Sequence, residues 1–312
     1  MKGSDHMASM NRRDFIGLAA GAALAGCNAT AVASRNKSAG RILYGACRSS
    51  VEDVAAMREL GYDFWEWGAG PAFDPAKDDA WWKRQKEKIA QRPLPLRSCN
   101  GFIPGKFRLT GPKASHGPAL DYAEKVLRRA DEIGVQTIVL GSGGARNVPK
   151  DFVKADPKAV EKGMGQFVDF CKALAKRVAD LKTVQVVIEP LRPKESNLVN
   201  FVWQGKEIVD EVASPRLRLL ADIFHMIEGG ETADSIVKAG GALLKHCHIA
   251  TKGPRLYPGA NDTEVFLPYF AALKRIGYIG GVSCECGWGK KGELKKNLAT
   301  ALETMKGLEE RA

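Results

Sequence analysis

Short apolar runs alternate with longer amphipathic stretches from residue 41 to the end of the chain. The apolar runs are nearly continuous, as is typical of strands that are covered on both faces. The amphipathic stretches place their apolar residues at helical spacing. The pattern predicts eight strands, at 41–47, 62–68, 95–102, 135–146 (ending in a glycine-rich turn), 183–190, 216–224, 243–250 and 280–287. It predicts helices after them, at 51–60, 78–92, 118–134, 156–181, 197–212, 232–240, 264–277 and 295–311.

The regular alternation of strand and helix predicts a parallel sheet of the α/β class. Eight repeats favour closure into a single (β/α)8 TIM barrel. An open, doubly wound sheet is the structural alternative. The turn GSGGAR at 141–146 lacks the G-x-G-x-x-G spacing of a dinucleotide-binding loop. No linker interrupts 41–312, so we expect one catalytic barrel domain over that range.

The N-terminal region has the pattern of an export signal. Residues 1–7 are interpreted as an expression leader, and 8–27 as a twin-arginine signal with Arg12 and Arg13 before a short apolar run. That run is shorter than the ~20 apolar residues that a membrane-spanning helix needs. It ends in a lipobox-like sequence at Cys27, and 28–40 would form a tether. We expect a periplasmic or membrane-anchored lipoprotein whose only membrane contact is a lipid on Cys27; an ordinary signal peptide cut nearby is the alternative.

The chain carries 47 Lys and Arg against 36 Asp and Glu, a net charge of +11. Such a balance favours anionic partners in general. The basic residues are scattered along predicted helices, however, so we expect no nucleic acid partner. Seven cysteines, including Cys27, show no spacing typical of a disulfide framework or a zinc site.

Acidic and imidazole side chains stand where four consecutive predicted strands end. Glu189, Asp222 and Glu285 lie at the ends of strands five, six and eight, and His248 lies near the end of strand seven. Because strand ends meet on one face of a barrel, we expect these four side chains to converge. They suffice to bind one divalent metal, and the oxygen-rich set favours Mn²⁺ or Mg²⁺, with Co²⁺ or Zn²⁺ as alternatives. For each carboxylate, capping of a helix N-terminus is the alternative role.

Other polar and aromatic residues surround the predicted lip of the barrel. His246 shares a strand face with His248 but lies deeper, so we expect it to support a ligand or fill the core. Trp67 could stack on a sugar or belong to the core, and Arg146 could bind an anionic group or pair with a neighbouring acid. The further candidates for substrate contact around the lip are Glu66, Trp67, Asn100 and Arg146.

Several short motifs together resemble a known family. They are I-E-P at 188–190, E-S-N at 195–197, D-x-x-H at 222–225, H-x-H-I at 246–249, Arg255 with the following Pro258-Gly259, and IGYIGGVSCEC at 276–286. In this order and spacing the chain resembles the xylose-isomerase-like TIM-barrel superfamily, within its group of sugar isomerases, ketose 3-epimerases and inosose dehydratase-like proteins. The resemblance covers roughly 41–310.

The resemblance implies roles for individual residues. Glu189, Asp222, His248 and Glu285 would bind one divalent metal, and the two glutamates would also move protons on opposite faces of the substrate. Residues at the family's substrate-contact positions are Glu195, His225 and Arg255. Arg255 lies one position further from His248 than the family spacing.

The implied function is a divalent-metal-dependent sugar isomerase or epimerase. It would remove a proton next to a carbonyl, with the metal stabilising the enediolate. Its partner would be a small carbohydrate, with self-association into a homo-oligomer a further expectation. Three alternatives remain open: a keto-sugar or keto-inositol dehydratase with the same site, an exported sugar-binding protein without turnover, and a metal hydrolase of the AP endonuclease type.

Overall fold

The structure, a computed structural model, describes residues 40–312. These residues form eight strands: β1 Leu43–Cys47, β2 Phe64–Gly68, β3 Leu96–Asn100, β4 Thr137–Leu140, β5 Gln185–Ile188, β6 Leu217–Asp222, β7 Leu244–Ile249 and β8 Gly281–Cys284. The helices are α1 Val51–Leu60, α2 Ala69–Phe73, α3 Asp79–Ala90, α4 His116–Glu132, α5 Gly143–Arg146, α6 Lys150–Ala155, α7 Ala159–Arg177, α8 Val202–Val212, α9 Ile223–Gly229, α10 Asp234–Ala239, α11 Leu267–Arg275 and α12 Leu294–Arg311. A 3₁₀ turn, Glu264–Phe266, precedes α11.

The eight strands form a closed barrel in sequence order, and every neighbouring pair is parallel. The predicted (β/α)8 architecture is therefore confirmed, and the open sheet is excluded. Two strand pairs contain a register shift, β2–β3 at Trp65/Glu66 and β6–β7 at Leu219/Leu220. Both shifts lie beside polar residues of the barrel interior.

Alternation along each strand separates two apolar clusters. On β4, Ile138 and Leu140 join the main core, which also includes the buried faces of the helices. Val139 between them packs instead with Val187 and Leu220 in a small separate cluster. Because side chains of a strand alternate between its faces, the first set faces the helices and the second fills the barrel interior.

Glycines make room for an aromatic ring inside the barrel. A Cβ at Gly45 would lie 2.2 Å from the Phe64 ring, and one at Gly281 would lie 2.8 Å from it. The Phe64 ring in turn lies edge-on to the His246 ring, with their centroids 6.1 Å apart. The sequence thus fills the lower barrel with one aromatic ring and leaves the upper layers to polar side chains.

The predicted element boundaries differ from the observed ones mainly after strands. The short helices α2, α5, α6 and α9 lie outside the predicted helices. Helix α5 replaces the predicted glycine-rich turn, and α9 begins within the predicted strand 216–224. Helix α8 begins at Val202 rather than at 197, because the segment before it is bonded into a loop. There the Asn200 side-chain amide donates to the carbonyl oxygens of Leu191 and Ser196, each at 2.7 Å.

The predicted leader, twin-arginine signal, lipobox with Cys27 and nearly all of the tether lie outside the described residues. Within 40–312, no helix has the length and apolar character needed to cross a bilayer. The six cysteines of this range are all free thiols, in keeping with the absence of a disulfide pattern in the sequence.

Candidate metal centre

Four side chains converge at the carboxyl ends of β5 to β8, and we call them the cluster: Glu189, Asp222, His248 and Glu285. Each offers one ligand atom, and these atoms all lie within 4.8 Å of one another. Glu189 follows β5 directly, Asp222 ends β6, His248 is the fifth residue of β7, and Glu285 follows β8. The convergence expected from the strand pattern is therefore observed.

Contacts within the cluster centre on His248 and Arg255. His248 Nδ1 lies 3.0 Å from Glu189 Oε1 and 3.3 Å from Glu285 Oε2. Arg255 Nη2 donates to Asp222 Oδ2 at 2.8 Å and to Glu285 Oε2 at 2.6 Å. Arg255, predicted to contact substrate, therefore reaches the cluster despite its altered spacing from His248.

Asp222 caps a helix with one oxygen and directs the other into the cluster. Its Oδ1 accepts hydrogen bonds from the backbone N–H groups of Phe224 (2.8 Å) and His225 (3.3 Å), which caps the N-terminus of α9. Its Oδ2 points into the cluster toward Arg255. The cap fixes the carboxylate, because one oxygen is held by the helix while the other remains directed at the site.

Glu66 lies beneath the cluster and not at its lip. Its Oε1 is 3.0 Å from His248 Nε2 and its Oε2 is 2.8 Å from His246 Nε2, and all three side chains are buried. Glu66 also borders a small cavity with Trp67 and Asn100, so its contact with substrate stays a prediction. Its depth follows from strand geometry: Glu66 is the middle residue of β2 and points into the barrel, one layer below the strand ends. His246 lies in that deeper layer, where its Nε2 pairs with Glu66 and its ring packs edge-on against the His248 ring, with centroids 5.0 Å apart.

The pKa values of Glu66, His248 and His246 are shifted in different directions. Burial alone would raise the pKa of Glu66, but the two histidines outweigh it and hold that pKa well below its usual range. Burial opposes a charge on His248, yet Glu66 and Glu285 raise its pKa well above the ordinary value. For His246, burial prevails and lowers the pKa. Glu66 is thus a permanent anion that stabilises a proton on His248.

The two glutamates of the cluster have opposite environments. Burial raises the pKa of Glu189, and the charges of Glu285 and Asp222 raise it further against a hydrogen bond from His248. Glu285 is also buried, but the charge and hydrogen bond of His248 and the charge of Arg255 lower its pKa to about 2. The pKa values of the two carboxyl groups are therefore shifted in opposite directions.

The donor set and the space around it fit a divalent cation. Three carboxylates and one imidazole form an oxygen-rich set of the kind that suits Mn²⁺ or Mg²⁺. Gly141, after β4, provides the space for Glu189, since a Cβ there would lie 2.2 Å from Glu189 Oε2. Only a glycine lets this carboxylate take its observed position. Sequence reasoning missed this residue, although it begins the glycine-rich turn.

Asn100 and His225 lie beside the cluster, as expected for residues of the lip. The Asn100 side-chain amide donates to Glu285 Oε1 at 2.6 Å, which orients that carboxylate. His225 is buried in the first turn of α9, and its Nε2 lies 3.5 Å from Asp222 Oδ2. Within the described residues, its Nδ1 has no hydrogen-bond partner.

Three other predicted contacts lie farther from the cluster. Arg146 is fully buried, and its guanidinium donates to the carbonyl oxygens of Leu140, Glu189 and Val199. Its contact with substrate stays a prediction. Its short helix, α5, turns the side chain inward. Glu195 is exposed at the rim and pairs with Arg192 at 2.8 Å. The Trp67 ring packs against Trp65, with centroids 5.6 Å apart.

Comparison with known proteins agrees with this architecture. A family model described as a xylose isomerase-like TIM barrel matches residues 54–308. The chain belongs to this family. A ketose 3-epimerase from Arthrobacter globiformis is 29% identical over 237 residues, which cover 74% of this chain and 75% of that protein. An L-ribulose 3-epimerase from Methylomonas sp. (strain DH-1) is 34% identical over 117 residues, or 36% of this chain and 40% of that protein.

Solved structures show the same fold. A D-psicose 3-epimerase from Clostridium cellulolyticum H10, solved with D-tagatose, superposes with a TM-score of 0.73 at 20% identity, covering 86% of this chain and 99% of that one. A 3-keto-D-glucoside 4-epimerase from E. coli gives a TM-score of 0.70 at 19% identity, covering 85% of this chain and 100% of that one. At these identities the likeness concerns the fold.

Proposed function

We propose that the chain is a divalent-metal-dependent sugar epimerase or isomerase that moves a proton next to a carbonyl group. The observation that carries this proposal is the cluster itself, in which two glutamates from β5 and β8 flank one histidine within 4.8 Å. The matches to a ketose 3-epimerase and an L-ribulose 3-epimerase support a sugar as substrate. Membership of the xylose isomerase-like family supports the same class of chemistry.

Glu189, Asp222, His248 and Glu285 are the residues that would hold the metal. When bound there, a divalent cation would supply Lewis-acid chemistry by polarising a sugar carbonyl and stabilising the negative charge that develops beside it. His248 is oriented for ligation by Glu66, which fixes its Nε2 side and leaves Nδ1 directed at the cluster. Asp222 is oriented by its N-cap bonds to α9.

Glu189 and Glu285 would carry the proton. A pair of carboxyl groups with divergent pKa values is the arrangement expected of an acid and a base. Glu285, whose pKa is lowered, would remove the proton from the carbon next to the carbonyl. Glu189, whose pKa is raised, would return a proton on the opposite face, and the reverse reaction would exchange the two roles.

Substrate binding would involve residues that line the way to these carboxylates. Arg255 lies between Asp222 and Glu285, with its guanidinium 4.5 Å from the centre of the Phe224 ring, so it can donate to a sugar hydroxyl while stacked. His225 has a buried ring nitrogen without a partner among the described residues, which a sugar hydroxyl could satisfy. Asn100 would position Glu285, and Glu195 would contact the substrate from the rim.

Proton exchange with solvent tests this proposal. The metal-loaded protein is incubated with a panel of ketoses in D₂O, and deuterium at carbons next to the carbonyl is followed by NMR. We expect exchange together with formation of an epimer or isomer. Glu285→Gln should lower the rate by about 10²–10⁴-fold because it removes the proton acceptor. Glu87→Gln, a change on the exposed face of α3, is the matched control and should leave the rate unchanged.

Other outcomes would contradict the proposal in distinct ways. Binding of a sugar without any exchange, in protein that holds about one metal ion per chain, would indicate a binding protein. Loss of water from a keto-sugar after the same proton removal would indicate a dehydratase. Undiminished exchange in Glu285→Gln would remove Glu285 from the mechanism.

A further inference from the structure

A cavity lies on the same face of the barrel as the cluster, and we call it the basic cleft. Its volume is about 690 Å³, and three loops line it: 108–113 after β3, 147–152 after β4 and 193–197 after β5. Loops that follow parallel strands lie at the carboxyl ends of those strands, which is where the cluster also lies. The volume falls within the roughly 300–1,000 Å³ of ligand pockets, which exceeds the needs of one small sugar.

Hydrogen bonds between loops hold the walls of the basic cleft. The side chains of Asn147 and Asn197 join two of its loops, since Asn197 N donates to Asn147 Oδ1 at 3.1 Å and Val148 N donates to Asn197 Oδ1 at 2.9 Å. The third loop is joined through Thr110, whose hydroxyl donates to the Arg146 carbonyl oxygen at 2.8 Å. The cavity is therefore built into the fold before any ligand binds.

A continuous line of side chains connects the basic cleft to the cluster. Glu195 lines the cleft and pairs with Arg192 at 2.8 Å. The guanidinium groups of Arg192 and Arg255 both lie over the Phe224 ring, at 4.7 and 4.5 Å from its centroid. Arg255 then contacts Asp222 directly. A ligand that occupied both sites would lie along this line.

Positive charge predominates in the basic cleft. Four cationic side chains line it: Arg108, Lys113, Lys150 and Lys194. Across residues 40–312, none of these four lies within 4.0 Å of a carboxylate oxygen. The lining contains two acids, Asp151 and Glu195, and the second is neutralised by Arg192. Phe152 and several prolines provide apolar surface against which the carbon-hydrogen face of a sugar ring can pack.

We propose that the basic cleft is a substrate subsite for a negatively charged sugar unit. The substrate is then an acidic glycoside of at least two units, with its keto unit at the cluster and its anionic unit in the cleft. This inference rests on the proposed function of the cluster. The charge can come from a uronate carboxylate or from a sulfate or phosphate ester, since each presents oxyanions to lysine and arginine.

Direct binding of unreactive probes tests the subsite. Methyl cellobioside and derivatives that carry one carboxylate or one sulfate at a C6 position have no free carbonyl, so they bind without turnover. Their dissociation constants for the metal-loaded protein are measured by calorimetry at low and high salt. We expect at least one anionic probe to bind about fivefold to tenfold more tightly than the neutral one at low salt, and the difference to shrink at high salt.

Variants test whether the basic cleft causes the preference for anionic probes. Lys150→Ala combined with Lys194→Ala should abolish the preference for the anionic probe, whereas Lys83→Ala combined with Lys88→Ala, on the exposed face of α3, should retain it. A preference for only the carboxylate or only the sulfate would identify the source of the charge. Equal binding of charged and neutral probes, or a preference unaffected by the first double variant, would overturn the proposal. Ketose exchange without a charge preference refutes the subsite alone; a charge preference without exchange refutes the proposed function alone.

Discussion

The two halves of the barrel contribute to the candidate site in different ways. Strands β5 to β8 provide all four members of the cluster, each at or near a strand end. Strands β2 and β3 provide Glu66 and Asn100, which contact His248 and Glu285 rather than occupy the cluster. One half therefore provides the cluster, and the other half provides side chains that hydrogen-bond to it.

The comparison shows that a carboxylate's depth decides its role. Glu66 is fully buried in the middle of β2 and is paired with two histidines. Glu285 lies one residue beyond β8, and its side chain is 25% exposed. Glu285 is therefore the more accessible of the two, while Glu66 only borders a small cavity beside Trp67 and Asn100, so residue type alone did not distinguish their environments.

The largest expected effect is a difference in bound metal between variants of the two histidines of β7. His248→Ala should reduce bound metal from about one ion per chain to nearly none, because it removes a ligand and leaves three carboxylates. His246→Gln should retain the ion, since His246 offers no atom to the cluster and forms its side-chain hydrogen bond with Glu66. Elemental analysis of both folded variants measures the difference. Loss of metal in both would contradict the distinction between ligand and support.

A smaller loss of metal binding is expected when Glu66, on β2, is changed. Glu66→Gln keeps the shape of the side chain but removes the anion that orients His248, so metal affinity should fall by about 10–100-fold. Calorimetric titration of the metal measures this change, and circular dichroism controls for the fold. Unchanged affinity would show that Glu66 is only a buried partner of His246.

The next effect concerns the space beside Glu189. Gly141→Ala would place a Cβ 2.2 Å from Glu189 Oε2, so the carboxylate must move, and metal affinity should fall by about tenfold. Gly165→Ala is the matched control, because nothing lies within 4 Å of that position in α7. It should leave metal binding unchanged and stabilise the helix by about 0.5–1 kcal/mol. Equal metal affinities in the two variants would contradict the role of Gly141.

The smallest effect is a pH dependence of metal binding. The pKa of His248 is raised by Glu66 and Glu285, so a proton competes with the metal up to a higher pH than for a free imidazole. Affinity should therefore rise as pH rises, with release of up to about one proton from His248 on binding. In Glu66→Gln the rise should move to lower pH, because the anion that raises the pKa is gone. Calorimetry in buffers of different ionisation enthalpy counts the protons that are released when the metal binds. Metal binding without proton release would contradict the expectation that His248 carries the competing proton.

The sequence predicted the architecture because its apolar runs repeat with a strong period. It predicted the cluster because Glu189, Asp222, His248 and Glu285 follow strands, and strand ends converge in a barrel. It grouped Glu66 with the residues of the lip, although the alternation of Trp65, Glu66 and Trp67 already places Glu66 on the opposite face from both tryptophans. A count along the strand would have assigned it to the interior.

Other features depended on contacts that no local pattern records. Arg146 was expected near the substrate because it follows a strand, but its partners are three carbonyl oxygens from separate segments of the chain. The role of Gly141 depends on Glu189, which lies 48 residues later in the sequence. Hydrophobic periodicity predicts individual helices and strands, whereas Arg146 and Gly141 matter through contacts with other segments of the chain.

The buried Arg146 gives the lip of the barrel a shape that does not respond to pH. Burial lowers the pKa of its guanidinium to about 10, so it stays charged at neutral pH. The loops it joins, after β4 and β5, are therefore held by a group that does not titrate in the range where His248 does. The contacts that Arg146 makes with these two loops therefore persist over the pH range in which His248 titrates.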